Sequence, residues 1–258
     1  FEIDCAEKTN IEIFDMDGAC VYSGENTDVH LENINLWWCN GQGTPYLYSW
    51  KVTSADCERS GRIGFKRVKL VMNEHAWREP SKFPKSRSAA PATIELNGRR
   101  IFAKGSNWVN PDVFTANIAD ETYKAFVDLA AEANMNIFRC WGGAIIPHDA
   151  FFDRCDERGI MVWSEFPLAC NNYVGTEKYL GILEQEATAI IKKLRSRACH
   201  VLWCGGNELF NSWSKMTDQS HALRLLDKLC YELDFAKPFN KTSPVFGMAH
   251  GHYEFANF

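Results

Sequence analysis

No apolar run in this chain of 258 residues comes near the roughly 18 residues that a membrane-spanning helix needs, so no membrane partner is expected. A basic stripe is missing too. The 28 Lys and Arg are outnumbered by 33 Asp and Glu, for a net charge of −5, and no RNA-binding signature occurs. Nucleic-acid binding depends on clustered cations at phosphates, so a nucleic-acid partner is not expected. The ten cysteines contain no C-x-x-C pair, which argues against a zinc or redox site. The start, Phe1-Glu2-Ile3-Asp4-Cys5, has no initiator Met and neither the basic nor the apolar region of a signal peptide. It predicts an excised piece of a longer protein.

What is present is a globular composition, 46% apolar with 13% aromatic residues, enough for two domains or one large barrel. Cys140, Cys199, Cys204 and Cys230 fall inside apolar or helical patterns and read as buried thiols. Disulfides are rare in the cytosol, and a cytoplasmic protein is the expectation.

Residues 1–78 alternate like strands at Ile11 and Ile13, Val29 and Leu31, and Tyr46, Tyr48, Trp50 and Val52. Turn formers at Asp17-Gly18, Ser23-Gly24, Asn40-Gly41-Gln42-Gly43 and Ser60-Gly61 separate them, as in a small immunoglobulin-like β-sandwich. Of the adjacent Trp37 and Trp38, one is expected in the core and the other against the next domain. Residues 79–96, with Pro80, Pro84 and Pro91, read as a linker.

From residue 97 to 258 short apolar strands alternate with amphipathic helices. The predicted strands are Ile101 to Val109, Asn136 to Trp141, Ile160 to Phe166, Val201 to Glu208 and Val245 to His250. Helical spacing recurs in Tyr123-Phe126-Ala130, in Leu180-Leu183-Ala187-Ile190-Ile191-Leu194 and in Leu226-Leu229-Cys230-Leu233. Repeated β-α units imply parallel strands with right-handed crossovers. No Gly-x-Gly-x-x-Gly turn follows the first strand, so a (β/α)8 TIM barrel fits better than a dinucleotide-binding fold. About five strands fall short of a full barrel of ~250 residues, and three β-α units are expected to be missing at the C-terminal end.

Barrels of this kind build their sites at the C-terminal ends of the strands. Those ends carry Ser106, Asn107 and Trp108, then Arg139 and Trp141, then Glu165, then Asn207 and Glu208. Glu208 is the candidate general acid, raised in pKa by desolvation beside Trp203 or Trp213. The plainer alternative is a structural Glu paired with Arg or Lys. Asn207, if Glu208 is that acid, is expected to donate to a hydroxyl of the bound substrate. Arg139 cannot shed its charge at an apolar strand end and calls for a carboxylate or a polar ligand. Trp141, followed by two glycines, suits a flat stacking wall for a ligand, with ordinary core packing as the alternative, and Trp108 and Trp213 are placed with it. Glu165 reads chiefly as a supporting charge, with a nucleophile as the alternative. His148 is expected to cap a helix. His250, His252 and Tyr253 are expected to hydrogen-bond substrate or Glu208, and no metal or cofactor is called for.

These segments resemble the β-mannosidase branch of glycoside hydrolase family 2 over nearly the whole chain. Leu36-Trp37-Trp38-Cys39-Asn40-Gly41-Gln42-Gly43 and Pro45-Tyr46-Leu47-Tyr48 are similar to its sandwich motif, and Arg62-Ile63-Gly64-Phe65-Lys66 to the closing strand. Asn97-Gly98-Arg99-Arg100-Ile101-Phe102-Ala103-Lys104-Gly105-Ser106-Asn107-Trp108 looks like the barrel's entry strand. Arg139-Cys140-Trp141-Gly142-Gly143, Asp149-Ala150-Phe151-Phe152-Asp153, Gly159-Ile160-Met161-Val162-Trp163 and Gly206-Asn207-Glu208 complete the match. The resemblance implies a retaining double displacement on terminal β-D-mannosides of an oligosaccharide. Glu208 then matches the acid/base, and a nucleophile Glu is expected beyond Phe258. Leu209-Phe210-Asn211 departs from the family, which often has another Asn or Glu after the acid/base. β-Galactosidase, β-glucuronidase and a non-catalytic carbohydrate-binding piece are the alternatives.

Overall fold

In the computed structural model, residue 3, residues 8–74 and residues 92–244 are described. The N-terminal part is an antiparallel sheet of β1 (Asn10–Phe14), β2 (Cys20–Gly24), β3 (Tyr48–Thr53) and β4 (Glu58–Ile63), in the order β2-β1-β3-β4. Period-two alternation sends Ile11 and Ile13 to one face, where they meet Tyr48 and the half-buried Trp50, Val52 and Phe65. Val29 and Leu31, expected on a strand, pack against this cluster from an irregular segment.

A second antiparallel sheet joins β5 (Val68–Met72), β6 (Ala92–Leu96) and β7 (Arg99–Ile101). Residues 92–96, assigned to the linker from sequence, are therefore a strand. The alternation of Ile94 and Leu96 with Thr93 and Glu95 accounts for it, because both apolar side chains are buried. Asn97 and Gly98 close the β6-β7 hairpin with φ of 52° and 82°, the pair of left-handed residues that a tight two-residue turn requires. Val68, Ile94, Leu96 and Ile101 join the large core of the α/β part. So this sheet does not belong by packing to the N-terminal one.

That α/β part runs β8 (Gly105–Trp108), α1 (Asp120–Glu132), β9 (Ile137–Cys140), α2 (Asp149–Arg158), β10 (Met161–Glu165), α3 (Glu177–Leu194), β11 (His200–Cys204), α4 (His221–Asp234) and β12 (Phe239–Asn240). The five strands are parallel and lie in sequence order. An order that never reverses, with right-handed crossovers, puts all the helices on one side. Each helix buries a stripe at three-to-four spacing, as in Leu183, Ala187, Ile191 and Leu194 of α3. In α1 the buried set is Tyr123, Val127, Ala130 and Ala131, while Phe126 stays 46% exposed. His148 precedes α2, but its side chain makes no capping bond. After α4 the chain returns as β12; the strand expected at Val245 to His250 lies outside the described residues.

The loop after the first sheet's hairpin is fixed to the helices. Trp37 is fully buried and its Nε1 donates to the Asp156 carbonyl at 2.9 Å. Asn40 Nδ2 donates to the carbonyls of Ala131 and Met135, both at 2.9 Å, and Asn40 N to that of Gly159 at 2.7 Å. Trp38 is half-buried, beneath the Arg99 guanidinium at 4.7 Å.

Candidate active site

The C-terminal ends of β8, β9, β10 and β11 converge on one guanidinium. Asn107 of β8 is in register with Arg139 of β9, which is in register with Trp163 of β10. Arg139 Nε and Nη2 donate to the two carboxylate oxygens of Glu165 at 3.0 and 2.9 Å. Its Nη1 donates to Asn107 Oδ1 at 2.9 Å, and Nη2 also to Asn207 Oδ1 at 2.6 Å and Ser243 Oγ at 3.0 Å. The two charged side chains are 7% and 0% exposed. A pair so far from water holds only if its remaining polar directions are filled. Glu165 accordingly accepts Ser243 Oγ at 2.5 Å, Gly142 N at 2.8 Å and Cys204 Sγ at 3.7 Å. Burial first, and then the Glu165 charge, push the Cys204 thiol well above its ordinary range, so it remains a neutral donor.

The glycines after Trp141 have distinct uses. A Cβ at Gly142 would lie 2.7 Å from the carbonyl oxygens of both Phe166 and Leu168, so only glycine brings this N–H to Glu165. A Cβ at Gly143 would lie 2.2 Å from the Trp141 ring, which covers it.

Past β11 the bridges Ala169 to Asn207 and Asn207 to Ser243 extend the sheet by one residue. Asn207 is 5% exposed; its Oδ1 faces Arg139 and its Nδ2 donates to Cys170 Sγ at 3.3 Å. Glu208 then turns into the left-handed region at φ 51°. A residue with a Cβ adopts that conformation at a cost of about 1 kcal/mol, so its backbone must be held. Glu208 N donates to the Ser243 carbonyl at 2.7 Å, and its own carbonyl accepts Asn211 Nδ2 at 2.5 Å and Ser214 Oγ at 2.8 Å. The fully buried Leu209 anchors the other side, its N donating to Thr242 Oγ1 at 3.0 Å. The result is a partly buried carboxyl on a clamped backbone at the strand mouth.

The candidate residues thus divide. Arg139, Glu165 and Asn207 are brought together beside Glu208, but Arg139 partners Glu165, not Glu208. Glu165 is sealed from solvent, its side chain 0% exposed. Trp108 is 5% exposed among Tyr123, Phe126, Phe138 and Phe151 on the helix side, because strand alternation turns it opposite Asn107. It is core, not sugar wall. Trp203 is likewise on the helix side, its Nε1 donating to Asp234 at 2.9 Å, so it does not desolvate Glu208. Trp141 is half-buried and Trp213, in the loop after Glu208, is 55% exposed. His250, His252 and Tyr253 lie outside the described residues. Cys170 and Ser243 enter the network without having been singled out from the sequence, and Asn107, named there only as a strand-end residue, joins them. The alternation with Trp108 pointed to Asn107, whereas nothing in the sequence marked Ser243. Among the described residues no group of three His, Cys, Asp or Glu is arranged to hold a metal ion.

No protein-family model matches the chain. It is similar to the β-mannosidase of Capra hircus, 32% identical over 180 residues, which cover 68% of this chain and 20% of that protein. It is also similar to β-mannosidase B of Thermothelomyces thermophilus, 31% identical over 247 residues, 86% of this chain and 28% of the relative. Both names are those of glycoside hydrolases. The crystal structure of β-D-mannosidase from Dictyoglomus thermophilum superposes with a TM-score of 0.76 at 27% identity, covering 92% of this chain and 31% of that one. β-Glucuronidase from Parabacteroides merdae, at 18% identity and a TM-score of 0.69, shares the fold. The chain therefore spans less than a third of the length of these relatives.

Proposed function

We propose that this chain, a β-mannosidase-like segment of the family 2 glycoside hydrolase type, supplies the acid/base and part of the sugar pocket of a retaining exo-glycosidase acting on terminal β-D-mannosides. Glu208 is the acid/base. The observation that carries this is its clamped left-handed backbone at the mouth of β11, next to an Asn207 carboxamide oriented by the buried Arg139–Glu165 pair. In the first step the Glu208 carboxyl protonates the leaving glycosidic oxygen; in the second, as carboxylate, it takes a proton from water. One hydrogen of Asn207 Nδ2 goes to Cys170, and the other serves a sugar hydroxyl beside the reacting carbon. Trp141 and Trp213 supply apolar surface to the sugar ring. Glu165 is committed to Arg139, Ser243 and Gly142 and is not assigned as the nucleophile. The N-terminal antiparallel sheet is one layer of an immunoglobulin-like sandwich, and the parallel sheet an arc of a (β/α)8 barrel.

The test is hydrolysis of aryl β-mannoside, β-galactoside and β-glucuronide by the full-length protein carrying this chain, beside its Glu208→Gln variant. Mannoside turnover that falls by about 10²-fold or more in the variant is expected, the usual worth of a positioned acid or base. Undiminished turnover in the variant refutes the assignment. Mannoside binding without turnover of any substrate would instead make this a carbohydrate-binding protein.

A further inference from the structure

Two neighbouring strand mouths end alike. Beyond β10 and β11 the chain bridges at Ala169 and Asn207, and the following residues, Cys170 and Glu208, both turn left-handed, with φ of 48° and 51°. Neither is glycine, so each position carries a conformational cost that its surroundings offset. Backbone bonds hold the pair of turns: Asn207 N donates to the Leu168 carbonyl at 2.9 Å and Cys170 N to the Asn207 carbonyl at 3.0 Å. Three side chains meet there as a result. Cys170 Sγ accepts Asn207 Nδ2 at 3.3 Å and lies 3.9 Å from Glu208 Oε2, and the residue is exposed to solvent.

We propose that Cys170 is a positioning residue for the acid/base, its thiol fixing the Asn207 carboxamide and steering the Glu208 carboxyl toward the leaving oxygen. The inference rests on reading Glu208 as the acid/base. The Asn207 amide cannot turn over, because its oxygen is held by Arg139 Nη2 at 2.6 Å and a reversed amide would set N–H against guanidinium. Its nitrogen is thereby aimed at the sulfur. With a sulfur lone pair taken by that donor, the S–H is left to point at Glu208 Oε2. A line of contacts then runs from sealed Glu165 through Arg139, Asn207 and Cys170 to the partly buried carboxyl. Sulfur is a weak donor and 3.9 Å a loose contact, so the effect belongs at the low end of hydrogen-bond energies, about three- to tenfold in rate.

Acid assistance matters for a poor leaving group and little for a good one, and that difference separates positioning from mere support. In the full-length protein, Cys170→Ala is expected to lower kcat/KM, which reports the leaving-group step, on phenyl β-mannoside about three- to tenfold while leaving kcat/KM on dinitrophenyl β-mannoside within about twofold. Cys170→Ser, which keeps a donor and an acceptor at the same place, recovers a substantial part of the loss. Equal losses on both substrates, no loss on either, or no recovery with Ser would overturn the proposal. Glu208→Gln, measured alongside, keeps the two readings apart. If it shows the leaving-group split and Cys170→Ala does not, only the role of Cys170 falls; if it shows none, the acid/base assignment falls and this inference with it.

Discussion

Replacing Arg139 by Met tests whether the strand ends are held by one charge. The substitution keeps the length of the stem and removes all five donated bonds, two of them to Glu165. What remains is a carboxylate whose side chain is 0% exposed, with Ser243, Gly142 and Cys204 as donors but no counter-charge. Breaking a buried pair from one side costs about 3–5 kcal/mol, mostly as the penalty of the abandoned charge. For a protein of this size that is a fall in melting temperature of about 6–20 °C. Adding Glu165→Gln removes the stranded charge and keeps an oxygen for the Gly142 N–H. The double variant is then expected to be more stable than the sum of the single losses implies, by about 2 kcal/mol or more. Urea titration followed by fluorescence of the nine tryptophans would measure all four corners of the cycle. A single-variant loss below about 1 kcal/mol, or strict additivity, would refute the account of the pair as a closed unit.

Trp108→Ala is expected to cost about 3–5 kcal/mol of stability, as for a large core aromatic, and to leave the affinity of the folded protein for a mannose-like inhibitor unchanged; weakened binding at unchanged stability would restore it to the sugar pocket. Lys66 carries a pH-dependent cost. Burial, and then the charge of Lys237, lower its pKa to about 7, while Asp156, Asp234 and Cys199 act the other way and its Nζ donates to the Arg197 carbonyl at 3.2 Å. Between pH ~7 and ~10.5 the unfolded chain binds a proton that the folded chain does not, so stability rises with pH across that window. Below it the full penalty of a buried ammonium is present. Lys66→Met should therefore gain ~2 kcal/mol at pH 6, allowing for solvent screening of a half-buried side chain, with the gain fading towards pH 10; an equal gain at both pH values in urea titrations would rule out the electrostatic cause.

Periodicity alone placed β9, β10 and β11 to within a few residues at their N-terminal ends, because a strand buried on both faces is a short unbroken apolar run. The convergence of Arg139, Glu165 and Asn207 was legible for a related reason. A polar residue that ends such a run has few places to go except the shared mouth. Trp108 was misplaced although the signal was present, since its neighbour Asn107 took the inward position. The hairpin partner β6 was hidden by the Pro- and Ser-rich stretch before it, which drew the linker too far. Ser243 and Cys170 were illegible in another sense: both act from loops, where position depends on bonds that no spacing rule records.

The clamp at Trp37 and Asn40 bears on how such a molecule can be taken apart. An antiparallel sheet strung ahead of an α/β unit invites treatment as an interchangeable part, severed at the boundary where its last strand stops. Here the segment between two of its strands is lodged among the ends of α1 and α2, with bonds to four carbonyls, those of Ala131 and Asp156 within the helices and of Met135 and Gly159 just past them. Exchanging the sheet for a foreign one would pull a tryptophan out of the neighbouring core and leave those carbonyls without their donors. The seam that matters for recombination follows the packing, and it does not coincide with any single point along the chain.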